Sequence, residues 1–188
     1  TEPINNYVSD QVRLFRATRD AQFIEGATDA GLTDTGQGRG IACFDADNDG
    51  DIDILITNSD DDQLVYYRND STLTDLYLTI RLEGRPVGAR VTVTAGGNSQ
   101  IRELRAGSNF LSQNPFELYF GMGTSETASI TVRWPDSIES TMNGVSTNQT
   151  ILIPRPEGEN SQVRVLVDSG SGGGRFDPGD VVTISADS

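Results

Sequence analysis

GIACFDADNDGDIDILITN, Gly40 to Asn58, carries five aspartates at every second position: Asp45, Asp47, Asp49, Asp51 and Asp53. GIACF leads into the cluster, and IDILITN leaves it as a buried strand. On a regular strand, alternate residues share a face, so five carboxylates would stand together and repel one another. A loop curled around a hard cation removes the conflict. Ca2+ accepts about six to eight oxygens, and carboxylates spaced by two can converge on it. Gly50 follows the third aspartate, where such a loop must turn sharply, and Asn48 and Asp49 suit turn conformations. The pattern D-x-D-x-D-G-D-x-D opens like an EF-hand loop. Its closing acid comes at position nine, however, position twelve is Ile56, and the flanks read as strands rather than helices. The competing readings are a solvated acidic turn and a Mg2+ or Mn2+ centre, for which no base or nucleophile is at hand. Asp60, Asp61 and Asp62 lack both the spacing and the glycine and read as a solvated turn.

The rest of the composition narrows the chemistry. The 188 residues carry a formal charge of −14, with a pI of about 4.2. Such a surface disfavours nucleic acid and anionic lipid as partners and favours cations. All 14 basic residues are Arg, His is absent, and Asp outnumbers Glu about two to one. This composition fits compositional drift in an ordinary secreted protein, with adaptation to high salt, where self-repulsion is screened, as the competing reading. Without His or Lys there is no imidazole base, no histidine zinc site and no Schiff base. The single Cys43 cannot form an intrachain disulfide, and its apolar setting predicts an inert, buried thiol. We expect no enzyme. No apolar run is long enough to span a bilayer, so no membrane insertion is expected. The opening TEPINN, without Met, reads as that of a processed or excised chain.

Abundant Gly and turn dipeptides predict an all-β chain. Residues 1–11 form a polar N-terminal arm. Residues 12–70 read as a four-stranded meander of short strands, resembling one propeller blade. Residues 71–154 contain six or seven strands, enough for a β-sandwich or barrel, with a GG hairpin turn at Gly96-Gly97. Residues 155–188 are a polar linker and a hairpin-like tail, in which QVRVLVD and DVVTISAD are the strands and SGSGGGRFDPG the loop between them. Trp134, before Pro135, reads as a packing residue, with a sugar platform as the competing role. Asn69-Asp-Ser and Asn148-Gln-Thr match the N-glycosylation pattern.

The aspartate loop, preceded by VRLFRATRDAQFIEGATDAGL and followed by LVYYRN, resembles one FG-GAP or VCBS-type calcium-binding repeat. That resemblance implies side-chain ligands Asp45, Asp47, Asp49 and Asp53 and a backbone carbonyl ligand at Asp51. Further along, VGARVTV, LRAGSNFLSQNP, LYFGMG and VRWPDS occur in the order found in the ASPIC/UnbV domain, which follows such repeats in secreted proteins, including the cartilage acidic protein family. Tyr119 stands where that family often has His. The tail resembles the beginning of an internalin-type B repeat. Taken together, these features predict an extracellular or cell-surface, calcium-binding structural or adhesive module. A lone blade and a two-stranded tail leave sheet edges open, so copies of itself or neighbouring domains of a surface protein are the expected partners, by strand complementation into a filament. The alternative is a calcium-dependent glycan-binding module that uses Trp134, Tyr66, Tyr67 and Tyr119.

Overall fold

A computed structural model describes residues 11–59, 64–70, 75–84, 86–156, 163–165 and 174–176. Every regular element among them is a β-strand. The chain divides after Pro154 into two compact units.

The first unit opens with β1 (Phe15–Ala17) and β2 (Phe23–Glu25), an antiparallel hairpin that forms a sheet by itself. Then come β3 (Gly38–Phe44), β4 (Asp53–Asn58) and β5 (Leu64–Tyr67), a three-stranded antiparallel meander. The expected four-stranded meander is therefore five strands in two sheets. Hydrogen bonds in the connection explain the break. Leu32 N–H closes a turn onto Ala27 C=O. The Tyr67 hydroxyl accepts the Thr33 and Asp34 amides. Asp34 in turn accepts the Gly36 amide and the Asn58 side-chain amide. Residues 33–36 are thus pinned to β4 and β5 and leave β2 no register beside β3.

The following seven strands form a sandwich, not a barrel. They are β6 (Leu76–Leu82), β7 (Arg90–Ala95), β8 (Asn98–Glu103), β9 (Glu117–Gly123), β10 (Thr127–Arg133), β11 (Glu139–Ser146) and β12 (Gln149–Ile153). One sheet runs β11-β10-β7-β8 and the other β12-β6-β9. β12 lies parallel to β6; the remaining pairs are antiparallel. Period-two alternation sends Leu78, Ile80, Leu118 and Phe120 of one sheet against Val91, Val93, Ile130 and Val132 of the other, as a two-layer core requires. Trp134 fills the same core at 1% exposure, and its indole N–H donates to Ser140 Oγ. The predicted GG turn joins β7 to β8, with both glycines at positive φ. Thr147 and Asn148 carry the chain from one sheet to the other: Thr147 Oγ1 donates to Ser125 C=O, and Asn148 N–H donates to Tyr77 C=O.

In the second unit, β13 (Val163–Val165) pairs antiparallel with β14 (Gly174–Phe176). The hairpin-like tail is present, but its second strand falls inside the Gly-rich stretch expected to be a loop. The segment DVVTISAD, most of the N-terminal arm and Asp60–Asp62 lie outside the described residues.

Candidate metal site

The aspartate loop joins β3 to β4. Asn48 and Gly50 take positive φ, 63° and 98°, and curl the chain so that its amides point inward. Asp45 Oδ1 and Oδ2 accept the Asp49 and Gly50 amides, and Asp49 Oδ1 accepts the Asp51 amide. This curl brings carboxylate oxygens of Asp45, Asp47 and Asp49 within 4.8 Å of one another. Hard carboxylate oxygens converging on one point suit Ca2+. The nearby Arg68 is paired with Asp70, at 2.8 Å. Burial pushes the Asp45 carboxyl above its ordinary pKa against the pull of the inward-pointing amides, and the charge of Asp49 adds to the rise. These donors fit a hard cation, whose charge would offset their repulsion.

Asp53 is placed differently. It is 1% exposed; its Oδ2 accepts the Ala46 amide and the Tyr66 hydroxyl, and its Oδ1 accepts the Asn69 amide. One carboxylate therefore ties the end of β3, the start of β4 and the chain after β5. Burial alone would raise its pKa. The Asn69 and Ala46 amides, the Tyr66 hydroxyl and the Arg68 charge outweigh that effect and hold it below the usual carboxylate value. The five predicted residues thus separate into a converging trio, Asp51 linked through its amide to Asp49, and Asp53 as a structural clamp.

The loop also rests on the sandwich. In the β6–β9 register, Tyr77, Thr79 and Arg81 share the outer face with Tyr119 and Glu117. Gly50 lies so close to the Tyr77 ring that a Cβ there would collide with it. The Tyr119 hydroxyl donates to Glu117 Oε2 at 2.5 Å. Arg81 holds the other oxygen of Glu117. Burial, followed by the bond to Glu117 and its charge, pushes the Tyr119 pKa far above its usual value. On the other side, the β8–β9 loop caps the edge of β3. Ser112 Oγ accepts the Ile41 amide, Asn114 Oδ1 accepts the Cys43 amide, and Asn109 Nδ2 donates to Ile41 C=O. A Cβ on Gly40 would press on Thr57 and Ser112, so Gly40 permits this approach.

Sequence reasoning missed both contacts. The signal for the first was Tyr77, at an outward position of a strand whose other face is core. For the second it was LSQN, whose Ser and Asn can substitute for a strand's hydrogen bonds. Cys43 is half-buried, and burial raises its thiol pKa. Trp134, enclosed in the core, offers no face to a sugar.

Residues 83–160 match the ASPIC and UnbV family model. The matched span contains β7 to β12 and begins after β6, so the strand bearing Tyr77 precedes it, as does the aspartate loop. The chain is similar to cartilage acidic protein 1 of Homo sapiens, 28% identical over 160 residues covering 77% of this chain and 24% of that protein. Against the Mus musculus protein of the same name it is 26% identical over 160 residues, covering 78% and 25% respectively. The chain spans about a quarter of the length of these curated relatives. Among the described residues no helix is long and apolar enough to cross a membrane.

Proposed function

We propose that this chain is a calcium-binding, non-enzymatic structural module of an extracellular or cell-surface protein, in which Asp45, Asp47 and Asp49 hold the ion. The observation that carries this reading is the convergence of the three carboxylates within 4.8 Å. The FG-GAP/VCBS-like pattern of the loop and the similarity to cartilage acidic protein 1 support it. When bound, the ion supplies charge neutralisation and no reaction step. The chain's own residues hold the loop closed through the Asp45 and Asp49 hydrogen bonds. Extracellular sites of this kind bind with Kd of roughly 0.1–1 mM. Calcium at about ten times Kd stabilises the fold by about 1.4 kcal/mol, which raises Tm by a few degrees. Calorimetric titration with Ca2+, followed by melts with calcium and with chelator, tests this. Absence of binding heat together with superimposable melts overturns it.

Self-association is the second element of the proposal. The β1–β2 hairpin leaves Phe15, Phe23 and Ile24 exposed, Phe23 at 72%. A two-stranded sheet is marginal in isolation, and a strand from a second copy would extend it and cover those side chains. Sedimentation and electron microscopy with and without chelator test this element, and a compact monomer under both conditions removes it. The glycan-binding alternative has less support, because Trp134 is buried and Tyr66 is left as its best exposed ring.

A further inference from the structure

We propose that Asn148 is a glycosylation site, and that the glycan it carries guards the edge of the sandwich where β11 and β12 meet. The inference rests on the extracellular reading above and adds a modification available at such a location. The acceptor pattern is Asn148-Gln149-Thr150, an asparagine followed two residues later by a hydroxyl, with no proline between them. It lies at the crossing from β11 to β12, and the backbone there is held from several sides. Thr147 N–H donates to Glu126 C=O and its Oγ1 to Ser125 C=O, Asn148 N–H donates to Tyr77 C=O, and Gln149 Nε2 donates to Ser146 C=O. The Asn148 side chain takes no part in this. It is exposed, as is Thr150, and among the described residues neither side chain has a hydrogen-bond partner. The left-handed φ of 60° suits asparagine. It does not account for Thr150, which stands on the outer face of β12 in register with Thr79.

The strands that meet at Asn148 are poorly guarded. β11 and β12 are terminal strands of their sheets. Exposed edges of natural sheets are protected by charge, proline or bulges. A bulge between Ala128 and Ile130 interrupts the β10–β11 register. No charged residue, however, stands between Glu139 and Arg155, in a chain that is 22% charged. Met142 and Leu152 are exposed, Leu152 at 60%. At the other end of the two sheets, Gln100 of β8 bridges to the Gly121 carbonyl of β9. A bulky, solubilising glycan at the joint of β11 and β12 supplies the protection that their side chains lack. The chemistry is a group transfer. The Asn148 amide nitrogen attacks the anomeric carbon of a glycan linked to a lipid phosphate. The bond from that carbon to the phosphate oxygen breaks as the carbon–nitrogen bond forms, the amide loses one proton, and the lipid phosphate leaves with the bonding electrons.

Mass spectrometry of the chain purified from the organism that makes it tests the site. The peptide containing Asn148 should carry a saccharide mass that fragmentation locates on that residue. In the same host, Thr150→Ala should lose the addition completely and Thr150→Ser should keep it, with Trp134 fluorescence unchanged in both. Sedimentation tests the guarding role. Asn148→Gln from that host should shift toward larger species, and adding Leu152→Lys, a charge on the outer face of β12, should reverse the shift. A chain recovered from outside the cell with Asn148 unmodified overturns the inference and spares the extracellular reading. A chain found only inside the cell overturns both. An addition that survives Thr150→Ala overturns the site assignment, and sedimentation unchanged by Asn148→Gln overturns the guarding role.

Discussion

The two halves of the first unit solve the same folding problem with different forces. In the sandwich, two sheets enclose a contiguous apolar core from Leu78 to Ile153, with Trp134 and Phe120 its largest fully buried side chains. In the segment before it, few apolar side chains besides Ala27, Leu32 and Ile56 are fully buried. Order there comes from polar clamps: Asp53 on three donors, Tyr67 and Asp34 on the connection, and Ser112 and Asn114 on the β3 edge. Apolar burial is non-directional and insensitive to pH or ions. Polar clamps are directional, and those made by carboxylates respond to both. The sandwich should behave as a fixed platform and the aspartate-bearing sheet as the responsive part.

The largest effect expected is on the platform. Phe120→Ala opens a cavity among tightly packed side chains and should cost about 3–5 kcal/mol. Denaturant titration measures it, and the loss should be the same in calcium and in chelator. A strongly calcium-dependent loss would break the distinction between the halves.

Asp53→Asn comes next. An amide keeps one oxygen and turns an NH2 toward amide and hydroxyl donors, so at least one of the three loses its acceptor. Loss of bonds to a buried charge should cost about 2–3 kcal/mol at neutral pH. The pH profile carries the signature. The folded pKa of Asp53 is depressed, so its stabilisation is present above the unfolded value of about 3.9 and is lost as pH falls through the folded value. The gap between variant and wild type should therefore narrow in acid. Asp45 has the opposite sign. Its folded pKa is raised, so in chelator its contribution is fully present below about pH 3.9 and declines as pH rises through the folded value. A gap for Asp53→Asn that stays constant down to pH 2 would show that the clamp is not electrostatic.

Asn114→Ala should cost about 1–2 kcal/mol by leaving the Cys43 amide without its acceptor, and should speed exchange at Cys43 before it affects β10. Asp47→Asn removes one charge from the trio without removing a hydrogen bond given above. It should abolish most of the calcium-induced rise in Tm while leaving the chelated melt equal to or slightly above that of wild type. A calcium response of full size in this variant would exclude Asp47 as a ligand.

How much of this was legible in the sequence follows the same division of forces. The sandwich strands could be read because period-two alternation is a direct image of a two-layer core: LYLTIRL, RVTVTA and TASITVR each alternate apolar core-facing residues with polar or aromatic outward-facing ones. The aspartate loop could be read because like charges at that spacing need a physical reason. The break between β2 and β3 could not, because it depends on Tyr67 and Asp34 meeting residues distant in the chain. The different placement of Asp53 was equally hidden. Spacing puts it in line with the other aspartates, and only the meeting of Ala46, Tyr66 and Asn69 around it shows what it holds. The sequence pointed to open edges on the blade without naming one, and Asn109, Ser112 and Asn114, about seventy residues later, occupy that of β3.

The smallest effect expected is the one that best separates charge from structure. Arg68 pairs with Asp70, and both side chains are more than half exposed. Exposed pairs contribute little, so Arg68→Ala should shift Tm by about 1 °C or less. Yet Arg68 also lies within electrostatic range of Asp47 and Asp53. Removing a positive charge from beside the trio should strengthen Ca2+ binding slightly, by less than about threefold at low salt. Screening should erase that gain near 1 M salt, where the Debye length is about 3 Å. Stability and affinity would thus move independently, and only affinity would depend on salt. Affinity that falls on Arg68→Ala would mean that Arg68 orders the loop rather than competing with the ion for its charge.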